Sequence, residues 1–192
     1  MPSTPTRDDA WALLTEFTDN PSLIKHALAV EAAMAAYANR LGENVQVWRI
    51  IGLVHDFDYQ HNPTEDTHLH VGTQILRERG WPEDWIRTIA SHADYMGVAR
   101  DSLAAKALFA VDELTGFLTA CALVRPDRAI SEVKAKSVKK KLKDKAFARG
   151  VNRDDVQRGA EELGVDIGEH IEFVRDAMAT IADELELPPR QR

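Results

Sequence analysis

The sequence predicts an all-α fold, and two observations support this. In every segment with periodic hydrophobicity, apolar residues recur three or four positions apart, as on one face of a helix. No segment shows the convincing alternation of apolar and polar residues that is typical of a half-buried strand. At 192 residues the chain is long enough for one well-buried domain. We therefore expect about eight helices in a single domain over residues 1–192, with its core over about 20–125 and a helical extension over about 126–187.

Each predicted helix begins at a side chain that can accept hydrogen bonds from free backbone N–H groups, or at a proline in its first turn. In chain order these starts are Asp8 or Asp9, Ser22, Asn44, Thr64, Pro82, Ser102, Ser137, Asn152 and Asp166. Gly42, Gly80 and Pro126 are the predicted stops of the second, fourth and sixth helices. The first helix carries Trp11 on its inner face and ends at Asn20.

Five helices carry one ionisable residue on an otherwise apolar stripe. In chain order these residues are His26, His55, His68, His92 and Asp112. Their apolar neighbours on the same stripes are Leu23 and Val30, Ile51 and Val54, Val71 and Ile75, Trp85 and Ile89, and Leu108 and Val111. Each residue alone is also consistent with a satisfied core side chain. Together, five buried ionisable groups would cost several kcal/mol each unless they shared partners, which a metal centre supplies.

Asp56 directly follows His55, about 100° further around the predicted helix, so both side chains can approach one ion. A neutral imidazole and a carboxylate suit a borderline divalent transition metal, and Gly52 leaves room beside Asp56. A lone His-Asp pair is also how a helix ends in polar residues. His70 lies about 200° around the predicted helix from His68 and is expected to face solvent.

The net charge of −7 is unevenly distributed along the chain. Residues 131–150 carry seven lysines and one arginine against two acidic residues, a local charge of +6. This segment fits either a phosphate-binding surface or a solvated helix face that pairs with acidic neighbours. No apolar run approaches the roughly 18 residues of a membrane span, and the first residues lack the apolar core of a signal peptide, so we expect a cytoplasmic protein. Cys121 is the only cysteine, and we predict no chemistry for it.

The order His, His-Asp, His, His, Asp resembles the HD-domain superfamily of metal-dependent phosphohydrolases, at Leu53-Val54-His55-Asp56. More narrowly, the chain is similar to a bacterial group of predicted HD hydrolases. The segments that carry this likeness are 55–59, His68 with 75–76, 89–92, 111–116, 137–141, 147–148 and 151–153. The chain has Phe57-Asp58 where Ile-Gly often follows His-Asp, and it lacks the Gly-Tyr-Pro motif of cyclic-dinucleotide phosphodiesterases. Cyclic dinucleotides are therefore not the expected substrates.

The resemblance implies a single HD-type helical domain around one or two divalent transition-metal ions (Mn, Fe, Co, Ni or Zn). It implies that His26, His55, Asp56 and Asp112 hold the first ion, and that His68 and His92 hold a second, with Asp56 as a bridging, catalytic residue. The implied reaction is hydrolysis of a phosphate ester, either a nucleotide or a small phosphorylated metabolite.

Two other functions fit the same ligands. One is a diiron oxygenase acting on an organophosphonate, and the other is a non-catalytic module that binds a metal or a nucleotide. Neither a membrane nor a nucleic acid is an expected partner. Asp58, His61 or Lys106 could supply proton transfer or phosphate contact, although surface roles fit these positions equally well.

Overall fold

The computed structural model of the chain describes residues 4–188, and every regular element in this range is helical. The α-helices are α1 (Arg7–Phe17), α2 (Pro21–Leu41), α3 (Val45–Val54), α4 (His70–Glu78), α5 (Glu83–Ala90), α6 (Leu103–Leu123), α7 (Ala135–Leu142), α8 (Arg153–Leu163) and α9 (Ile167–Ala179). Two short 3-10 helices cover Asp94–Met96 and Ile130–Glu132. The all-α prediction is confirmed. None of the described helices is long and apolar enough to cross a membrane.

Four predicted helix starts, Asn44, Ser102, Asn152 and Asp166, are correct because a side chain caps the free N–H groups. The Asn44 carboxamide accepts from the backbone of Gln46 and Val47, and Asn152 and Asp166 cap α8 and α9 in the same way. Gly42 ends α2 with a φ of 74°, which favours glycine.

Two predicted starts further along the chain, Thr64 and Ser137, are wrong because α4 begins at His70 and α7 at Ala135.

Two predicted starts in the first part of the chain are also wrong. Thr6 caps α1 and Asp9 completes a reciprocal capping box, so Asp9 lies inside the helix. Asn20 caps α2, with a proline in the first turn, and Ser22 is its hydrogen-bond donor. The predicted inner face of α1 is also wrong at Trp11, whose side chain is 36% exposed, because α1 buries Ala10, Leu13 and Leu14 instead.

The described chain forms two compact units, one up to Leu108 and one from Phe109. The predicted single domain, with its core over about 20–125, stays a prediction. In the first unit α3 lies at the centre and contacts α1, α2 and α5, while α4 contacts α5. α3 is apolar on nearly all sides and buries every residue from Ile50 to Val54. A buried helix of this kind fixes the position of whatever follows its last turn.

Gly52 allows α2 and α3 to pack at close range. A Cβ atom on this residue would lie 3.0 Å from the Val30 carbonyl oxygen and 3.1 Å from the Glu31 Cα. The sequence predicted that Gly52 leaves space beside Asp56. In the structure, the α2 backbone lies in the space that a side chain at Gly52 would need. This close packing brings His26 of α2 to His55, with their ring centroids 5.1 Å apart.

In the second unit, α9 contacts α7, α8 and the 3-10 helix at 130–132. Two lysines of the basic segment have partners inside this unit. The Lys139 amine lies beside the capping carboxylate of Asp166 and contributes to lowering the pKa of that group, after its backbone hydrogen bonds. The Lys141 amine lies 4.4 Å from the centre of the Phe147 ring. The basic segment is therefore partly used within the fold, and its contact with phosphate stays a prediction.

Candidate metal centre

The His55-Asp56 pair directly follows the last turn of α3. His55 is fully buried, and its Nδ1 lies 2.8 Å from the carbonyl oxygen of Gly52, one turn earlier. Because a carbonyl can only accept, Nδ1 carries the proton and donates. In the neutral ring Nε2 then holds a lone pair, and this atom points to the Asp56 carboxylate at 3.5 Å.

Four imidazoles surround the Asp56 carboxylate, and they divide between its two oxygens. Oδ2 faces the Nε2 atoms of His55, at 3.5 Å, and His26, at 4.0 Å. Oδ1 faces the Nε2 atoms of His68 and His92, each at 3.2 Å. The structure therefore brings together five of the six predicted ligands, with Asp56 between two groups of histidines.

The ring orientations of His68 and His92 are fixed in the same sense as that of His55. His92 Nδ1 lies 2.7 Å from the carbonyl oxygen of Ile89 and donates to it. His68 Nδ1 lies 3.0 Å from Oδ1 of Asp58, a carboxylate that accepts. Three Nε2 atoms are thus directed toward Asp56 by partners on the far side of each ring, which is the arrangement that orients metal-binding histidines.

Asp58 supports this centre and is not a surface residue. Its side chain is fully buried, and besides His68 it accepts hydrogen bonds from the backbone N–H groups of Leu69, at 3.0 Å, and Gly72, at 3.1 Å. The surface role is therefore wrong for Asp58, which holds His68, and its part in proton transfer or phosphate contact stays a prediction. His61 is exposed and Lys106 is half-buried, and their roles stay predictions.

The structure corrects the reason why His68 faces inward. His68 lies in a series of turns before α4, whose first residue is His70, and not on the helix itself. Leu69 between them adopts a φ of 62°, uncommon for a side chain with a Cβ, and its N–H reaches Asp58. His68 is 6% exposed and His70 is exposed, so the predicted contrast between them is present for a different physical reason.

His92 also lies beyond the helix that was predicted to carry it. α5 ends at Ala90, and the segment that follows is held by Arg100. The Arg100 guanidinium donates to the carbonyl oxygen of Ser91 and to the Asp94 carboxylate, both at 2.9 Å. His92 is 8% exposed, so its inward direction is as predicted.

The proton affinities of the centre show that it favours positive charge. Burial alone would lower the pKa of His68, but its hydrogen bonds to Asp56 and Asp58 outweigh burial and raise the pKa to about 9. Burial would raise the pKa of Asp56, but the surrounding histidines, His55 first, hold it well below its usual range. A protonated imidazole or a metal cation would satisfy this carboxylate equally.

The comparison with known proteins identifies this part of the chain. Residues 23–116 match the family model described as the HD domain. This segment is an HD domain. Ribonuclease Y 2 of Levilactobacillus brevis is 30% identical over 96 residues, which make up 50% of this chain and 18% of that protein. The chain therefore spans less than a fifth of the length of this relative. The resemblance to the HD superfamily is confirmed.

The donor atoms of the HD domain fit divalent cations. One donor atom each of His26, His55 and Asp56 lies within 4.8 Å of the others, and the same holds for Asp56, His68 and His92. Nitrogen and oxygen ligands at about 2.1 Å from one ion are roughly 3 to 3.5 Å apart, close to the separations seen here. Imidazole and carboxylate together suit Mn, Fe, Co, Ni or Zn. The cluster could therefore hold a metal ion, of an identity that the donors leave open.

The remaining predicted ligand, Asp112, lies on the part of α6 that belongs to the second compact unit. Its metal-binding role stays a prediction. The metal-binding roles of His26, His55, Asp56, His68 and His92 are likewise proposals that rest on the geometry described above.

Gly72→Ala is expected to damage the support of His68. A Cβ at this position would lie 2.8 Å from Cγ of Asp58 and 2.9 Å from its Oδ1. Because that carboxylate is buried and held by three hydrogen bonds, it cannot rotate away, and we expect a loss of about 1–3 kcal/mol in the free energy of unfolding. Denaturant unfolding measures this loss, and metal titration should show weaker binding.

Gly116→Ala is the matched control, because Gly116 is also helical but the nearest atom to its added Cβ is a Val151 methyl at 4.0 Å. Alanine should be neutral there or stabilising by up to about 1 kcal/mol. Equal stabilities of the two variants would show that Asp58 is not held rigidly.

Proposed function

We propose that this chain is a metal-dependent phosphohydrolase that cleaves a phosphate ester, either of a nucleotide or of a small phosphorylated metabolite. The observation that supports it is the position of the Asp56 carboxylate between two pairs of histidines. One of its oxygens faces His26 and His55, and the other faces His68 and His92. A carboxylate between two groups of imidazoles is suited to bridge two cations, which would take the place of a proton on Nε2. Paired cations of this kind are a recurrent device for phosphorus-ester hydrolysis.

In this proposal His26, His55, Asp56 and Asp112 would hold a first ion, and His68 and His92 a second, with Asp56 shared. A divalent ion bound there would acidify a water molecule from a pKa of about 16 toward neutrality and neutralise charge on the phosphoryl group. The chain's own contribution is orientation. Asp58 and the carbonyl oxygens of Gly52 and Ile89 keep the Nδ1 protons in place, so that Nε2 is the ring atom that would bind an ion.

The likeness to a protein named as a ribonuclease supports the reaction class, since a ribonuclease also cleaves phosphorus esters. It does not set the substrate, because the chain spans only 18% of that relative. A small phosphorylated substrate is the partner we propose, and an RNA oligonucleotide is the natural comparison in any substrate screen.

The decisive experiment is to purify the full chain without added metal and measure its bound metals by mass spectrometry. The chain is then reloaded with Mn²⁺, Co²⁺, Ni²⁺ or Fe²⁺ and assayed on phosphate esters, an RNA oligonucleotide and an organophosphonate, in air and under nitrogen. We expect metal-dependent release of phosphate in both atmospheres, because hydrolysis consumes no oxygen.

The other outcomes identify the rival functions. Turnover of the organophosphonate that requires Fe²⁺ and consumes oxygen would show that the protein is an oxygenase instead. Stoichiometric bound metal with no turnover of any ester would show that the protein is a non-catalytic binding module.

A further inference from the structure

A pocket of about 380 Å³ lies in the first compact unit. Three segments enclose it, namely the start of α3 with the turn before it, the first half of α5, and the chain that leads into α6. None of the described residues that line it is a candidate metal ligand. Its volume lies at the lower end of the roughly 300–1,000 Å³ that is typical of small-molecule sites. The pocket is therefore a second cavity of ligand size, separate from the metal centre.

The buried part of the pocket lining is mostly apolar. Trp48 and Ile51 of α3, Trp85 of α5 and Ala105 of α6 are each at most 5% exposed. Half-buried Val47 lies one turn before Ile51 and extends the same wall. This wall offers dispersion contacts and burial to an apolar body, which is the main source of affinity in pockets of this size.

The charged part of the lining is exposed and carries a net negative charge. The Arg87 guanidinium donates to the Asp101 carboxylate at 2.8 Å, so these two charges offset each other. Glu43 and Asp84 also line the pocket, and neither forms an ion pair with a described residue. Two carboxylates without a basic partner at the edge of an apolar pocket favour a cationic ligand.

The uncharged polar side chains of the lining already have partners within the fold. The Asn44 carboxamide oxygen caps α3, and the Ser102 hydroxyl accepts from the N–H of Ala105 at 3.1 Å. The Thr88 hydroxyl donates to the carbonyl oxygen of Asp84 at 2.9 Å. The two carboxylates without a basic partner are therefore the acceptors that the pocket offers to a ligand.

We propose that this pocket binds a small organic cation, specifically a primary amine that carries an aryl or alkyl body. The body would lie against the apolar wall, and the ammonium group would lie at the carboxylates of Glu43 and Asp84. An ammonium group donates three hydrogen bonds and a carboxylate only accepts, so the two groups match. The proposal does not depend on the phosphohydrolase function, because the pocket shares no residue with the metal centre.

The test uses three probes with the same body and different head groups: 4-phenylbutylamine, 4-phenylbutan-1-ol and 4-phenylbutyrate. Each is titrated into the full chain by calorimetry at neutral pH and low salt. We expect the amine to bind about tenfold more tightly than the alcohol, because each exposed ion pair contributes up to roughly fivefold in affinity. The carboxylate should bind more weakly than the alcohol, because Glu43 and Asp84 repel it.

Glu43→Gln and Asp84→Asn keep the size of each side chain and remove its charge. Each should weaken binding of the amine by roughly two- to fivefold and leave the affinity for the alcohol unchanged. The double variant should bind the amine and the alcohol equally. Both positions are exposed, so circular dichroism should show the wild-type helical spectrum for all three variants.

Ala99→Trp tests whether the amine binds in this pocket and not at the carboxylate of Asp56. Ala99 is an exposed lining residue, and an indole ring there should fill the cavity and abolish binding of the amine and the alcohol. Ala146→Trp is the matched control, because Ala146 is an exposed alanine of the second unit, and it should bind both probes normally.

Three results would overturn the proposal. The first is equal affinity of the wild-type chain for the three probes, or no saturable binding of the amine. The second is binding of the amine that persists in Ala99→Trp. The third is unchanged amine affinity in the double variant, which would leave Asp84 only its contribution to the first turn of α5.

Discussion

The Asp56→Ala variant is expected to lose metal binding at both positions and to lower phosphate-ester turnover by more than about 100-fold. The reason is the placement of the carboxylate, whose two oxygens face His26 and His55 on one side and His68 and His92 on the other. His55→Ala should abolish activity and the binding of the first ion but leave the second ion bound, because the His55 Nε2 faces only the Oδ2 side. Metal content by mass spectrometry and steady-state turnover measure both effects.

Asp66→Ala is the matched control, since Asp66 is an exposed carboxylate ten residues further along the chain. It should keep both metal content and turnover. Circular dichroism should show a helical spectrum for all three variants, which separates loss of a ligand from loss of the fold. Turnover at the wild-type rate in Asp56→Ala or His55→Ala would show that the reaction takes place elsewhere on the chain.

Helical periodicity was sufficient to predict the fold class and the inward direction of the histidines. His26 and His55 were predicted for the correct reason. His26 lies along the apolar stripe of α2, and His55 ends the apolar stripe of α3. His68 and His92 face inward although each lies outside the helix that was predicted to carry it. A periodic pattern continues across a helix end without marking it, so the conclusion was correct and the local structure was wrong.

The sequence could not show the contacts that lock these histidines in place. The positive φ of Leu69 is supported by a hydrogen bond to Asp58, eleven residues away in sequence, and no local pattern encodes such a contact. Gly52 and Gly72 are visible in the sequence as glycines, but the atoms opposite them, the α2 backbone and the Asp58 carboxylate, become known only in the fold. Tertiary packing therefore decides what each glycine is for.

The number of bound ions is the second large expected effect, and it depends on the Oδ1 side of Asp56. His68 and His92 each place Nε2 at 3.2 Å from this oxygen, and each has its other ring nitrogen held by a hydrogen-bond acceptor. Under metal saturation we expect about two ions per wild-type chain. His68→Ala and His92→Ala should each lower this value toward one, because each removes a ligand from the second ion while His26 and His55 remain.

His70→Ala tests whether this effect is specific to the buried histidine. His70 lies two residues from His68 but is exposed at the start of α4, so its removal should leave the metal count unchanged. The alternative is a one-metal centre in which His68 and His92 contact the substrate. That arrangement would give one ion per wild-type chain and would raise KM in His68→Ala without changing the metal content. Loss of metal in His70→Ala but not in His68→Ala would contradict both arrangements, because the Asp58-held imidazole would then have no part in metal binding.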